Sequence, residues 1–118
     1  MTTHTPIVIS ADELADILST RTPDAFWNVL TDDYFTGELI AGSRRVPVDR
    51  VGREVAETHL DRGAAIVVYC SGPTCPQSRA AAEKLTTLGF TNVELFVGGL
   101  AEWRESGRPL EQVAAAAA

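Results

Sequence analysis

Apolar positions along the chain recur with two periods, and the switches between them mark out alternating strands and helices. A short apolar run, Ile7 to Ile9, leads into Ser10-Ala11-Asp12-Glu13, where serine and glutamate at N-cap and N3 spacing make a capping box. It opens a helix with Leu14, Ile17 and Leu18 on one face, ended by Pro23. Phe26 to Leu30 reads as the next strand, Thr31 to Gly37 as a turn or short helical segment, and Ile40 to Gly42 as a loop. Val46 and Val48 flank Pro47, which has no N–H for a ladder, so this segment is at best a short edge strand. Asp49 is placed to cap a second helix with Val51, Val55 and Leu60 on one face and Gly63 as its C′ residue. Ala64 to Tyr69, AAIVVY, is apolar without alternation, the pattern of a strand covered on both faces. Ala80 to Leu88 is helical, with Ala81, Leu85 and Leu88 at helical spacing and Gly89 as its stop. Val93 to Val97 is a further strand, Gly98-Gly99 a sharp break, and Leu100 to Glu105 a short helix ended by Gly107. This βαβα order predicts an α/β layered domain with crossover helices.

Composition narrows the class. At 118 residues and 12.7 kDa, the chain suits one domain, residues 1–112. Residues 113–118, ending in five alanines, read as a flexible tail or an expression remnant. The net charge of −6 argues against nucleic acid or an anionic membrane as a partner, since both need a concentrated positive face. Arg44, Arg45, Arg50 and Arg53 form one locally basic stretch, either a solvated surface or a rim for an anionic substrate or acidic partner. Two cysteines are too few for a disulfide framework. The opening MTTHTPIVIS lacks a basic leader followed by a long apolar stretch, and no run approaches the ~18 apolar residues of a membrane span. The cytoplasm, where thiols stay reduced, is therefore the expected compartment.

The stretch VVYCSGPTCPQSR carries the candidate chemistry. Ligands of parallel sheets bind beyond the carboxyl ends of strands, and Cys70 stands at such an end. Ser71-Gly72-Pro73-Thr74 has no bulky side chain, and its glycine permits a loop whose N–H groups turn inward as an anion cradle. Thr74 with Gln77 fits a second capping box, and Pro76 suits the first helical turn. Cradle and helix dipole together favour a thiolate on Cys70. Spacing leaves a second reading equally open, in which Cys70 is only the last buried residue of its strand.

From VVYC through SRAAAEKL, LGFTNVELFVGGL and AEWRESGRP, the chain resembles the rhodanese-homology domain family in its single-domain sulfurtransferase form. The shared features run in order: the strand ending in Cys70, a short loop, Ser78, Ala81-Ala82, Gly89-Phe90, Asn92-Val93, Gly98-Gly99, Trp103, Gly107 and Pro109. ISADEL resembles the family's first helix and IAGSRRVPVDRV its central loop and following strand, so the likeness covers nearly the whole chain. The resemblance implies a three-layer domain with a mostly parallel central sheet flanked by helices. It also implies that Cys70 is the nucleophile, taking sulfane sulfur as a persulfide and passing it to an acceptor thiol or cyanide. Ser71, Gly72, Pro73, Thr74, Cys75, Pro76, Gln77, Ser78 and Arg79 would hold the substrate, their N–H groups stabilising the persulfide anion. No cofactor is expected.

The departures from the family carry information too. Asn28-Val29-Leu30 stands where an Asp-x-Arg triplet is usual, and Gly37-Glu38 where a Gly-His pair is common. Aligned on Ser78, the cysteine loop is longer than usual by about two residues, and Ser71 to Gln77 holds no basic residue, leaving Arg79 as the nearest cation. A persulfide or polysulfide is therefore expected as donor rather than thiosulfate, with a small or protein thiol as acceptor. A related cysteine phosphatase needs an arginine where Pro76 stands, a thioredoxin-like protein needs Cys-x-x-Cys, and His4 and His59 are not placed to complete a zinc site. The remaining alternatives are a non-catalytic binding or regulatory module and a Cys70/Cys75 thiol–disulfide redox protein. If Thr74 is the N-cap, Cys75 occupies the first helical position as a candidate resolving thiol; its other reading is packing. Trp27, Trp103 and Tyr69 are expected to pack in the core or at its rim.

Overall fold

A computed structural model describes residues 5–113. In chain order these form β1 (Ile7–Val8), α1 (Ala11–Thr20), β2 (Ala25–Asn28), β3 (Glu38–Leu39), β4 (Arg44–Arg45), a 3-10 turn (Val48–Arg50), α2 (Val51–Glu57), β5 (Ile66–Tyr69), α3 (Gln77–Thr87), β6 (Val93–Phe96), α4 (Gly99–Glu105) and β7 (Glu111–Gln112). The main sheet has the order β1-β6-β5-β2-β4, and every neighbouring pair is parallel. Its central strand is β5, whose four residues are all fully buried, as the unbroken apolar run requires.

The hand of the crossovers assigns the helices to layers. The chain moves across the sheet in one direction from β1 to β2 and in the other from β4 to β5 and from β5 to β6. Right-handed connections therefore place α1 on one face and α2 and α3 on the other. α2 packs on α3, and α3 on β5 and β6. On the opposite face α1 adjoins α4, where the Glu102 carboxylate accepts the Ala11 N–H at 2.5 Å, and Arg108 beyond α4 pairs with Asp12 at 3.1 Å. The result is the expected three-layer α/β domain. Among the described residues no helix is long and apolar enough to cross a membrane.

The first capping box is present: the Glu13 N–H donates to Ser10 Oγ at 3.1 Å, and the Ser10 N–H to Glu13 Oε1 at 2.8 Å. Ser10→Ala is expected to lower stability by about 1 kcal/mol in urea denaturation with little change in slope, because one N–H of the first turn loses its acceptor.

Several boundaries differ from the sequence expectation. The edge strand lies at Arg44–Arg45, ahead of Val46 to Val48; the chain passes Pro47 with Val46 N–H donating to the Asn28 carbonyl (3.0 Å) and Val48 N–H to that of Val29 (2.9 Å). Asp49 does not cap the second helix, because residues 48–50 are taken by the 3-10 turn that brings Val51 and Val55 onto the core. The helix ends at Glu57, six residues before Gly63. The left-handed residue that closes it is His59 (φ 52°), which turns Leu60 back so that its N–H reaches the Val55 carbonyl at 3.2 Å. The antiparallel pairing of β3 with β7 was not legible, since two residues a side, with Leu39 the one apolar residue among the four, make no pattern. Beyond it Val113 donates to the Gly37 carbonyl at 2.7 Å; the rest of the expected tail lies outside the described residues.

Candidate active site

Because the sheet is parallel, the segments leaving β2, β5 and β6 emerge at one end, and there they build the site. Cys70 follows β5 directly and is 0% exposed. Its carbonyl accepts the Leu100 N–H at 3.0 Å and that of Ser71 accepts the Ala101 N–H at 2.9 Å, so the first turn of α4 grips the start of the cysteine loop. The loop then turns tightly, with the Cys75 N–H on the Gly72 carbonyl at 3.1 Å, and runs through Pro76 into α3.

The expected Thr74–Gln77 capping box is absent. Pro76 disfavours helical geometry at Cys75, so α3 begins only at Gln77 and Cys75 precedes the helix rather than opening it. The Gln77 side chain reaches the segment after β2 instead: its Oε1 accepts the Thr31 N–H and its Nε2 donates to Thr31 Oγ1, both at 3.0 Å. Gly72 is not in the left-handed region; the positive-φ glycine at the site is Gly99, at φ 57°.

The two thiols differ in setting. Cys70 Sγ lies 3.2 Å from Ser78 Oγ and 3.5 Å from the Cys75 carbonyl oxygen. Burial pushes the Cys70 thiol up, and the Cys75 thiol pushes the same way, outweighing the hydroxyl and N–H of Ser78. This reverses the expectation of an activated Cys70: the strand-end position that aims it at the site also removes it from water. Cys75 is half-buried. Burial would raise its thiol too, but hydrogen bonding from the Cys70 thiol, from the N–H groups of Gln77 and Ser71 and from the Ser71 hydroxyl wins, holding it below the ordinary thiol value.

Cys75 also faces the cavity. A space of about 550 Å³ is lined by Leu30, Tyr34, Thr36, Ser71, Thr74, Cys75, Pro76 and Gln77, none of them charged. Of the other sequence candidates, Gly72 is buried behind the loop against Ala101, Pro73 is exposed, Ser78 is buried against Cys70, and Arg79 is exposed and outside the lining. Leu30, Tyr34 and Thr36 had no sequence signal; they reach the site because β2 neighbours β5. Their segment is held down by Arg45, which donates to the Leu30 carbonyl, pairs with Asp32 at 2.5 Å and stacks 4.0 Å from the Phe35 ring centroid. Arg44 pairs with Glu54 and Arg50 with Asp32, so three of the four basic residues of that stretch are engaged with carboxylates.

The substituted family positions have structural duties. Asn28 is fully buried and its Oδ1 accepts the Leu30 N–H at 3.1 Å, fixing the turn that leads to the cavity wall. Glu38 pairs with Arg104 at 2.5 Å, which holds its carboxyl below the usual range, and it also accepts from Gln112 at 3.3 Å, tying β3 to β7 and α4. Trp27, Trp103 and Tyr69 are buried. Among the described residues no three His, Cys, Asp or Glu side chains cluster so as to hold a metal ion.

Comparison with known proteins bears on this arrangement. The Rhodanese-like domain model matches residues 9–106. The crystal structure of the Alr3790 protein from Anabaena sp. is 26% identical, with a TM-score of 0.75 over 89% of this chain and 80% of that one. A rhodanese-related protein from Thermoplasma volcanium is 25% identical, with a TM-score of 0.69 over 89% of this chain and 97% of that one. A thiosulfate sulfurtransferase from Pseudomonas aeruginosa is 22% identical and shares the fold, with a TM-score of 0.72 over 92% of this chain but only 21% of its own. No curated protein matches the chain. With the family match running from α1 through the strands β2 to β6 and the cysteine loop to α4, the chain belongs to the rhodanese-like domain family.

Proposed function

We propose that the protein is a sulfurtransferase that carries sulfane sulfur as a persulfide on its cysteine loop and passes it to a small thiol, a protein thiol or cyanide. The observation that carries this reading is the loop itself: Cys70 stands directly beyond the central strand with the N–H groups that open α3 close behind it, beside an uncharged cavity that Cys75 lines. Those N–H groups stabilise an anion without needing a cation, as a persulfide requires. Membership in the family supports sulfur chemistry; the family assignment of the nucleophile rests on Cys70. The direct test is to treat the reduced protein with glutathione persulfide, locate added sulfur by peptide mass spectrometry, and measure its transfer to cyanide. Sulfur that never adds to the loop, or that adds and never leaves, would defeat the reading.

The lining also selects the donor. Thiosulfate carries a sulfonate that wants a charge-assisted hydrogen bond, worth about 1.5–3 kcal/mol, and its absence costs roughly 10- to 100-fold in kcat/KM. Glutathione persulfide is therefore expected to outperform thiosulfate by that factor in steady-state assays. Saturation by thiosulfate at low concentration would contradict it. The adjoining thiols favour one second reading, thiol–disulfide exchange, which is distinguished by disulfide formation without sulfur delivery to any acceptor.

A further inference from the structure

The uncharged cavity beside the cysteine loop has two walls, drawn from distant parts of the chain. The loop and Gln77 form one; Leu30, Tyr34 and Thr36 form the other. Two side-chain hydrogen bonds cross between them, and both join Gln77 to Thr31: Gln77 Oε1 accepts the Thr31 N–H and Gln77 Nε2 donates to Thr31 Oγ1, each at 3.0 Å. An amide that spends its acceptor and a donor on one residue fixes both the place and the orientation of that residue. Thr31 in turn shapes the far wall, because its carbonyl accepts the Tyr34 N–H at 2.9 Å and the Phe35 N–H at 3.0 Å. Gln77 is itself anchored: it opens α3 directly after Pro76, and its neighbour Ser78 is buried against Cys70. A rigid helix end therefore holds a short turn by two bonds.

We propose that Gln77 is a positioning residue that, through Thr31, sets the spacing of the two cavity walls and so selects an organic persulfide over a small inorganic sulfur donor. The inference rests on the sulfurtransferase reading above. A space of about 550 Å³ lies in the range of pockets that enclose organic molecules. The tripeptide of glutathione persulfide is long enough to touch Leu30 and Tyr34 on one side and the loop on the other, whereas thiosulfate is a compact anion that meets one wall at a time. Walls held in place beforehand spare the larger donor the cost of ordering them. Such preorganisation acts on binding, so its loss appears in KM rather than in kcat.

Gln77→Ala removes both bonds and keeps a good helix former at the start of α3. With cyanide as acceptor, and thiocyanate and glutathione as products, its KM for glutathione persulfide is expected to rise about tenfold above wild type, the worth of one or two ordinary hydrogen bonds, with kcat within about twofold. For thiosulfate, which yields thiocyanate and sulfite, kcat/KM should stay within about twofold, so the preference for the organic donor collapses. Thr31→Val, which removes only the Oγ1 acceptor, should give a smaller shift of the same kind, and adding it to Gln77→Ala should change nothing further, since both act through one contact. Cys75 lines the cavity and reports the spacing without turnover. The ratio of its alkylation rate by N-phenylmaleimide to that by iodoacetamide should rise about fivefold in Gln77→Ala as the freed wall opens. In Gln77→Glu, whose carboxylate accepts from both the N–H and the hydroxyl of Thr31, the ratio should remain that of the wild type. An unchanged ratio in Gln77→Ala, equal losses with the two donors, or a fall in kcat alone overturns the proposal and leaves the sulfurtransferase reading standing. If the wild type makes no thiocyanate above the uncatalysed rate from either donor, the sulfurtransferase reading fails and donor selection falls with it.

Discussion

Gly99→Ala is expected to lower the free energy of unfolding by about 2–5 kcal/mol and to disturb the cysteine loop with it. Gly99 opens α4 at φ 57°, where a side chain costs about 1–2 kcal/mol through collision with its own carbonyl. The added methyl would also run into the main chain of the loop, against the Cys70 carbonyl and 2.9 Å from the Gly72 nitrogen. Those are backbone atoms that cannot rotate away, so overpacking adds about 1–3 kcal/mol. Relief requires α4 to withdraw, which breaks the hydrogen bonds from Leu100 and Ala101 to the Cys70 and Ser71 carbonyls. Gly107→Ala is the internal control: its φ is 84°, but nothing lies within 4 Å of the added atom, so only the conformational cost applies. Urea denaturation of both variants separates strain from collision; equal losses would refute the collision. The loop should register the change as well, as an altered alkylation rate at Cys75 in Gly99→Ala and an unaltered one in Gly107→Ala.

Tyr69→Phe is expected to cost about 1–3 kcal/mol despite leaving the ring in place. The side chain is fully buried, its ring centroid 5.5 Å from that of Phe26. Its hydroxyl accepts the Ile40 N–H at 3.0 Å and shares a 2.7 Å hydrogen bond with Ser43 Oγ, which itself donates to the Ile40 carbonyl at 2.7 Å. Phenylalanine fills nearly the same volume but strands the Ile40 N–H inside the protein, so the loss is that of an unmade buried hydrogen bond rather than of a cavity. The deficit should shrink at high pH. Burial holds the Tyr69 phenol above its ordinary value, against the opposing hydrogen bonds from Ser43 and Ile40. Above about pH 10 the unfolded chain sheds the phenol proton while the folded one retains it, so the wild type loses stability as pH rises and the phenylalanine variant does not. Parallel stability profiles of the two proteins through pH 10 would contradict this.

Local chemistry was enough for much of the domain. The unbroken apolar run of β5, the Ser10–Glu13 box and the apolar spacing on α1 and α3 depend on residues a few positions apart, and each reappears in the fold. The place of Cys70 just after β5, at the end of the sheet where ligands bind, follows from the same reading. Which thiol meets the cavity does not, because exposure depends on segments distant in the chain. Cys70 is covered by α3 through Ser78 and its loop is pinned by the backbone of α4, while the far wall of the cavity comes from residues 30–36. Those segments converge because parallel pairing sets β2 and β6 on either side of β5, a matter of long-range packing that no periodicity encodes. The same holds for the charges: a run of arginines looks like a basic rim until Asp32 and Glu54 fold onto it. Sequence determines where the cysteine loop begins; burial, decided only when the layers close, sets Cys70 inside the domain and Cys75 on the cavity wall.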